Sequence, residues 1–252
     1  MSRAYGYIWG SVFVIAIWWI LAAIIDSPAL PTPIATIPVL VDNFSGLVPE
    51  FGISLFRILL AMLIGTVLGA PLGILIGRSM WADRLLTPVM YILYPLPKIV
   101  LLPILFVLIG IGGQSKVVLI AIAVFFQMAV TMRDAAKSVP RESVEAMLSF
   151  GAGRRQILGS VVIPNTLPSL FTALRVTTAS AIAILFIAES MAGSSGLGYY
   201  IMHSWSILEY TQMFAGIVAM AFMGILLYEL FDFCERRLTA WRQAENSQAM
   251  NP

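Results

Sequence analysis

Charge is what this sequence has least of. Only 11% of its residues are Asp, Glu, Lys or Arg, and 13 acidic against 15 basic residues leave a net charge of +2. So small an excess, strung along the chain, excludes the concentrated basic patch that nucleic-acid binding requires. The single cysteine, Cys234, excludes an internal disulfide and a cysteine-based metal site. His203 is the only histidine, so a His-rich metal centre is excluded as well. The phosphate-cradling pattern G-x-x-x-x-G-K-[ST] occurs nowhere, so any nucleotide chemistry would belong to a separate chain. No segment repeats at a fixed period, and none is of low complexity.

What fills the space is apolar. Hydrophobic residues make up 60% of the chain and its mean hydropathy is +0.92. A soluble chain of 252 residues cannot hide that much apolar surface, so lipid is the solvent for much of it. The composition predicts an all-α membrane protein. Windows long enough to cross about 30 Å of hydrocarbon as helix fall near 7–25, 52–76, 86–110, 115–132, 169–189 and 213–232, which predicts six transmembrane helices. The first has the basic start of a signal peptide. Its apolar run is longer than such a peptide needs and no small-x-small cleavage pattern follows, so it reads as an uncleaved first span.

The breaks between the windows hold the turn residues. Pro28, Pro31, Pro33 and Pro38 mark a long connection with room for a short helix before Pro49. Arg78, Asp83 and Arg84 mark a tight turn after the second window, and "GIGGQSK" marks another after the third. Three parts follow: residues 1–50 as first helix and outer connection, 51–240 as the core, and 241–252 as a tail. Eleven of the fifteen basic residues fall on one side if the N-terminus is cytoplasmic: Arg3, Arg78, Arg84, Arg133, Lys137, Arg141, Arg154, Arg155, Arg236, Arg237 and Arg242. The positive-inside rule then places both termini, and the polar segment at about 141–165, in the cytoplasm.

That segment, "VEAMLSFGAGRRQILGSVVIPNTLPSL", is too long and too helix-like for a connecting loop. Apolar Met147, Leu148 and Leu158 recur among Glu142, Glu145, Arg154 and Arg155 in a loosely amphipathic pattern. Gly151 and Gly153 each weaken a helix by about 1 kcal/mol, which points to a bend or to close approach of another backbone. Pro164 is expected to end the segment and Pro168 to precede the fifth span. On pattern alone it is either a partner-docking helix or one lying on the membrane surface.

Glu145-Ala146-Met147, three residues, Gly151, nine residues and then Val161-Val162-Ile163-Pro164 resemble the EAA loop of ABC-importer permeases, E-A-A, three, G, nine, I-x-L-P. One consensus Ala is Met147 here, and two aliphatic positions differ, but the spacing is kept. "PLPKIVLLPILFVLIGIGGQSK", "SVPRESVEAMLSFGAGRRQIL" and "AESMAGSSGLGYYIM" also resemble permeases of the nitrate/sulfonate/taurine branch, over roughly residues 55–240. The resemblance implies type I ABC-importer architecture in a bacterial inner membrane. It implies a second permease copy, two cytoplasmic ATPase subunits holding ATP and Mg, and an extracytoplasmic binding protein, with no cofactor on this chain and no catalytic residue. Glu145, Ala146, Met147, Gly151, Arg154, Ile163 and Pro164 would then couple to the ATPase. The substrate would be a small anion such as a sulfonate, taurine or nitrate. Leu108-Ile109 and Gly113 stand where the sulfonate-like branch often has an aromatic and an acidic residue, and the branch also resembles importers of pyrimidine vitamin precursors and other small organics, which are the alternative.

Other residues invite a role. Pro95, Pro97 and Pro103 break the third window around Lys98, and such breaks survive where protein or a water-filled cavity covers the freed backbone. Lys98 and Glu189, with Pro95 and Pro97, are therefore candidate path residues, and the two charges are candidate partners. Arg57 and Arg175 read as snorkelling side chains. Gly65, Gly69, Gly73 and Gly77 repeat G-x-x-x-G and predict close helix packing. Ser194, Ser195, Gly196, Gly198 and Tyr199 are expected on the outer surface near a docked binding protein. "GSSG" also resembles the nucleophile motif of intramembrane serine proteases, with His203 as base. Yet Ser195 and His203 share one short segment, where a nucleophile and base need separate rigid supports. A secondary transporter would need internal symmetry, which is missing.

Overall fold

The computed structural model of the chain describes residues 3–191 and 193–239, all helix and connection with no strand among them. In chain order the α-helices are α1 (Arg3–Ile25), α2 (Pro33–Asp42), α3 (Phe44–Arg78), α4 (Met80–Leu93), α5 (Leu102–Ile109), α6 (Gly113–Lys137), α7 (Arg141–Ser149), α8 (Arg154–Ile157), α9 (Ile163–Met191), α10 (Leu197–Ser206) and α11 (Tyr210–Leu238). Five stretches are long and apolar enough to cross a membrane: Ile8–Ile25, Phe44–Arg78, Gly113–Lys137, Arg154–Met191 and Tyr210–Leu238. The sixth candidate is a bent pair, Met80–Leu93 and Lys98–Ile109, which are apolar enough together and turn by 84° at the break. Five of the six expected windows are single apolar helices, and the third is a bent pair that completes six when counted as one span.

Local chemistry sets the boundaries. Thr32 caps α2, its hydroxyl accepting from the Ala35 N–H at 3.3 Å, with Pro33 at the first helical position. Trp18 ties the Pro-rich connection back to α1 by donating its indole N–H to the Pro31 carbonyl at 3.0 Å. Asp83 and Arg84, expected in a turn, are helical instead. The turn is a single residue, Ser79, whose hydroxyl caps α4 by accepting from the Ala82 N–H. "GIGGQSK" likewise turns only at Gly110–Gly112, where Gly110 takes φ 97°, and Gln114 onward is helix.

The prolines of the polar segment do not end it. Pro164 and Pro168 lie inside α9, and a π-turn over Leu158–Val162 joins α8 to α9. Proline lacks an N–H and crowds the carbonyl four residues back, and a widened turn just before it relieves that conflict.

Two compact units share the chain. One comprises Met1–Leu55 and Phe186–Met223, the other Phe56–Leu185 and Gly224–Pro252. In the first, Trp18 stacks on Phe214 with ring centroids 5.4 Å apart. The second is organised by α3 against α6. A Cβ on Gly65, Gly69, Gly73 or Gly77 would fall 2.8, 2.5, 2.4 or 2.5 Å from the carbonyl oxygen of Ala121, Phe125, Ala129 or Arg133. Four glycines one turn apart thus form a rail along which two backbones touch, as their spacing predicts. Ile76, Met90 and Ala129 seal α4 onto this pair.

Candidate functional site

The polar segment begins four residues after α6 ends and is built as a short helix, a glycine stop and a restart. At its stop, the Ala152 N–H donates to the Met147 carbonyl at 3.0 Å and the Gly151 N–H to the Leu148 carbonyl at 2.9 Å. These crossed bonds form a Schellman cap, which requires Gly151 at φ 77°. The glycine expected to permit close docking therefore terminates α7, and the space over it is open, with nothing within 4 Å of a built Cβ. Gly153 donates its N–H to Gln156 Oε1 at 2.8 Å and starts α8.

The segment has two faces. Val144, Met147 and Ala152 pack onto a core of Ala136, Ile157 and Val162, with Ile74 of α3. Met147, in place of the motif's small residue, thus fills the inner face. On the outer face Glu145, Ala146 and Arg155 are exposed, with Leu148 at 55% and Phe150 at 88%. Arg154 and Ile163 are also exposed, and Pro164 is half-buried.

The helix leading into the segment is fixed by charge. Asp83 Oδ1 accepts from Arg133 Nε at 2.7 Å and from Thr87 Oγ1 at 2.7 Å, while its Oδ2 accepts from Lys137 Nζ at 2.6 Å. Arg133 also donates to the Tyr91 hydroxyl at 3.0 Å. This network ties α4 to the last turns of α6. Sequence reasoning missed it, because Arg133 and Lys137 counted only as topology markers, although their i,i+4 spacing places both on one helix face.

At the break in the third span, Lys98 acts on backbone. Its ammonium donates to the carbonyls of Leu93, Tyr94 and Leu96 at 2.6, 2.9 and 2.8 Å, using all three of its hydrogens. It also sits 4.9 Å above the centre of the Phe126 ring. The carbonyls at this break, of which Leu93 also accepts the Leu96 N–H at 3.3 Å, are satisfied by a cation at the C-terminal end of α4, where the helix dipole favours one. Pro95 and Pro97 are exposed, beside the apolar stripe Val100, Ile104, Val107, Leu108 and Ile111.

Glu189 belongs to a different construction. The N–H groups of Gly196, Leu197 and Gly198, at the start of α10, donate to Glu50 Oε2, Ser54 Oγ and Glu189 Oε2 in turn. Ser54 donates onward to Glu189 Oε2 at 2.7 Å. Two carboxylates from α3 and α9 thus cap a helix that has no capping side chain of its own. Gly196 has φ 103°, and a Cβ there would meet Glu189 Oε1 at 2.2 Å. Gly196 and Gly198 are buried beneath this carboxylate, so of the outer residues named from sequence only Ser194 is fully exposed, with Ser195 and Tyr199 half-exposed. Exposed Trp205, Ile207 and Leu208 lie further along the same unit. Asn43 donates to the Tyr200 hydroxyl at 2.8 Å; burial pushes that phenol up and the Asn43 bond offsets part of the shift. His203 stacks on Tyr199.

Two sequence expectations are corrected. Arg57 is buried, lying against Gly113 at the start of α6, and does not snorkel. Arg175 does not snorkel either, since its guanidinium sits 2.7 Å from both Asp232 and Glu235 of α11. Among the described residues no group of three His, Cys, Asp or Glu side chains could hold a metal. Arg242 and the tail at 241–252 lie outside the described residues.

Residues 65–240 match the family described as "Binding-protein-dependent transport system inner membrane component". The chain is 34% identical over 188 residues to the taurine transport system permease protein TauC of Escherichia coli, covering 75% of this chain and 68% of that one. It is 29% identical to the putative aliphatic sulfonates transport permease protein SsuC of Bacillus subtilis, over 96% of this chain and 90% of that one. It is also 29% identical to the formylaminopyrimidine transport permease protein ThiX of Halalkalibacterium halodurans, over 97% and 100%. In fold it resembles a chain of the MetNI methionine ABC transporter in an inward-facing form, with a TM-score of 0.66 over 77% of this chain and 96% of that one at 24% identity.

Proposed function

Because the chain belongs to the family of binding-protein-dependent transport system inner membrane components, we propose that it forms the path for a small sulfonate-type anion and couples that path to ATP through α7 and α8. The chain is the membrane-spanning permease of an ABC importer and not itself an enzyme. An ATPase and a substrate-binding protein are its partners by family. Nucleotide and Mg belong on the ATPase.

The observation that carries the coupling is the outward apolar face of the segment, Leu148 and Phe150, held rigidly by the cluster of Met147, Ala136 and Ile157 behind it. A groove on the ATPase would cover that face, with Glu145, Ala146, Gly151 and Arg154 around it and Ile163 and Pro164 at its membrane end. Cytoplasmic placement of this segment and of both termini follows from the basic residues. A second copy of the chain would meet the exposed stripe from Val100 to Ile111 beside the broken span, enclosing the path. Lys98 would shape that path by holding the backbone at the break, and Glu189 would hold the start of α10 within its own unit.

The resemblance to taurine and aliphatic sulfonate permeases supports the anion. Similarity across the whole length of a formylaminopyrimidine permease favours the second reading, a pyrimidine precursor. Uptake by the importer, reconstituted with its ATPase and binding protein, decides between them. Taurine or an alkanesulfonate is expected to be taken up in an ATP-dependent manner. Uptake of an aminopyrimidine alone would overturn the anion reading.

A further inference from the structure

Between the last turns of α3 and the segment α7–α9 lies a groove of about 840 Å³. Its walls are apolar, Leu75 on one side with Leu148, Leu158 and Ile163 on the other, and all four are exposed. Arg78 and Arg154 stand among these lining residues, both exposed, and neither has an ion-pair partner among the described residues. No acidic side chain lines the groove.

We propose that this groove binds an anionic phospholipid of the cytoplasmic leaflet, its phosphate held by Arg78 and Arg154 and an acyl chain lying along Leu75, Leu148, Leu158 and Ile163. Two unpaired guanidiniums beside an uncharged wall match an anionic headgroup, and each can bind phosphate through two parallel N–H groups. Depth selects a lipid over a soluble partner. Arg78 is the last residue of the α3 span, and the wall reaches back to Pro71, about 10 Å into that span. A cytoplasmic protein could cover Arg154 and Leu148 but could not follow the groove along α3. The π-turn at Leu158–Val162 forms part of the opposite wall, so the lipid would brace the joint between the coupling segment and the fifth span. The proposal rests on the cytoplasmic placement of this end, which accessibility labelling tests separately, because lipid capture does not depend on which side the groove faces.

The test uses the assembled importer in nanodiscs of phosphatidylcholine containing a minor fraction of a photoreactive-tail lipid, either phosphatidylglycerol or phosphatidylcholine. Peptide mapping should find the phosphatidylglycerol probe on residues 71–78 and 144–163 in roughly 30-fold preference over the phosphatidylcholine probe, from about 5-fold per arginine. Arg78→Gln, outside the coupling segment, should cut the preference to about 5-fold while ATPase co-purification stays unchanged. Equal labelling by both probes, or a preference that Arg78→Gln leaves at its full value, would overturn the proposal. So would labelling that appears only after the ATPase is stripped away, which would make the ATPase the occupant.

Discussion

Replacing Gly73 by alanine tests whether α3 and α6 are held in backbone contact. The added Cβ would lie 2.4 Å from the Ala129 carbonyl oxygen, 2.9 Å from the Arg133 nitrogen and 2.9 Å from the Met132 Cβ. Two of these neighbours are backbone atoms and the third is a Cβ, so no rotamer change relieves the clash. The helices must part locally by about 1 Å, a gap that forfeits about a quarter to a half of the dispersion attraction across the rail. Overpacking of this kind costs about 1–3 kcal/mol. At about 2 kcal/mol, the midpoint of thermal unfolding should drop by about 4–8 °C in a chain of this size. The assay is melting of the detergent-solubilised permease with its ATPase. Gly52→Ala is the control on the same helix, since its Cβ would meet nothing within 4 Å. Uptake should fall too, because α6 leads to Ala136, on which the coupling segment packs. A Gly73→Ala protein that melts with the wild type would refute the contact rail.

Gly151→Leu should reduce ATPase co-purification more than tenfold while Gly151→Asn retains most of it, because asparagine tolerates the left-handed conformation at φ 77°; equal loss in both would assign the glycine to the open docking face instead of the helix cap. Lys98→Met should lower both melting temperature and uptake, since it strips the Tyr94 and Leu96 carbonyls of their donor and leaves Leu93 only the Leu96 N–H at 3.3 Å, and Lys98→Arg should recover part of each. Adding Glu189→Gln to Lys98→Met should restore nothing, and restoration of uptake by that pair would return the two charges to a shared role. Gly196→Ala should cost at least about 2 kcal/mol from positive φ and collision with the Glu189 carboxylate, read as loss of folded protein in membranes; normal yield would contradict the buried cap.

Where the chain crosses the membrane was legible because crossing demands length and hydropathy, both one-dimensional properties. The glycine rail was legible for the same reason, as four glycines at one helical spacing leave a flat face that only another backbone fills. What the sequence hid were partners distant along the chain. Glu189 looked like a charge in a path because nothing local shows that Ser54 and the amides after Gly196 converge on it. Lys98 looked the same, although its partners lie two to five residues away. The sign there was the pair of prolines, which free carbonyls that some donor must satisfy. Pro164 misled in the other direction, because a π-turn let a helix continue through a residue that ordinarily stops one. Arg175 and Asp232 are 57 residues apart, and their pairing needed the fold.

The central claim, that the exposed face of α7 couples this permease to an ATPase, is tested most directly by crosslinking from Phe150. Cys234 is the only native cysteine, so Cys234→Ser clears the background. Phe150→Cys then places one thiol at the most exposed point of the segment, and Val107→Cys, equally exposed on α5, serves as the control. With a short bifunctional thiol-to-amine reagent on the assembled, ATP-turning-over importer, Phe150→Cys should form an adduct with the ATPase subunit and Val107→Cys should not. An intact complex in which Phe150→Cys gives no ATPase adduct would contradict the account.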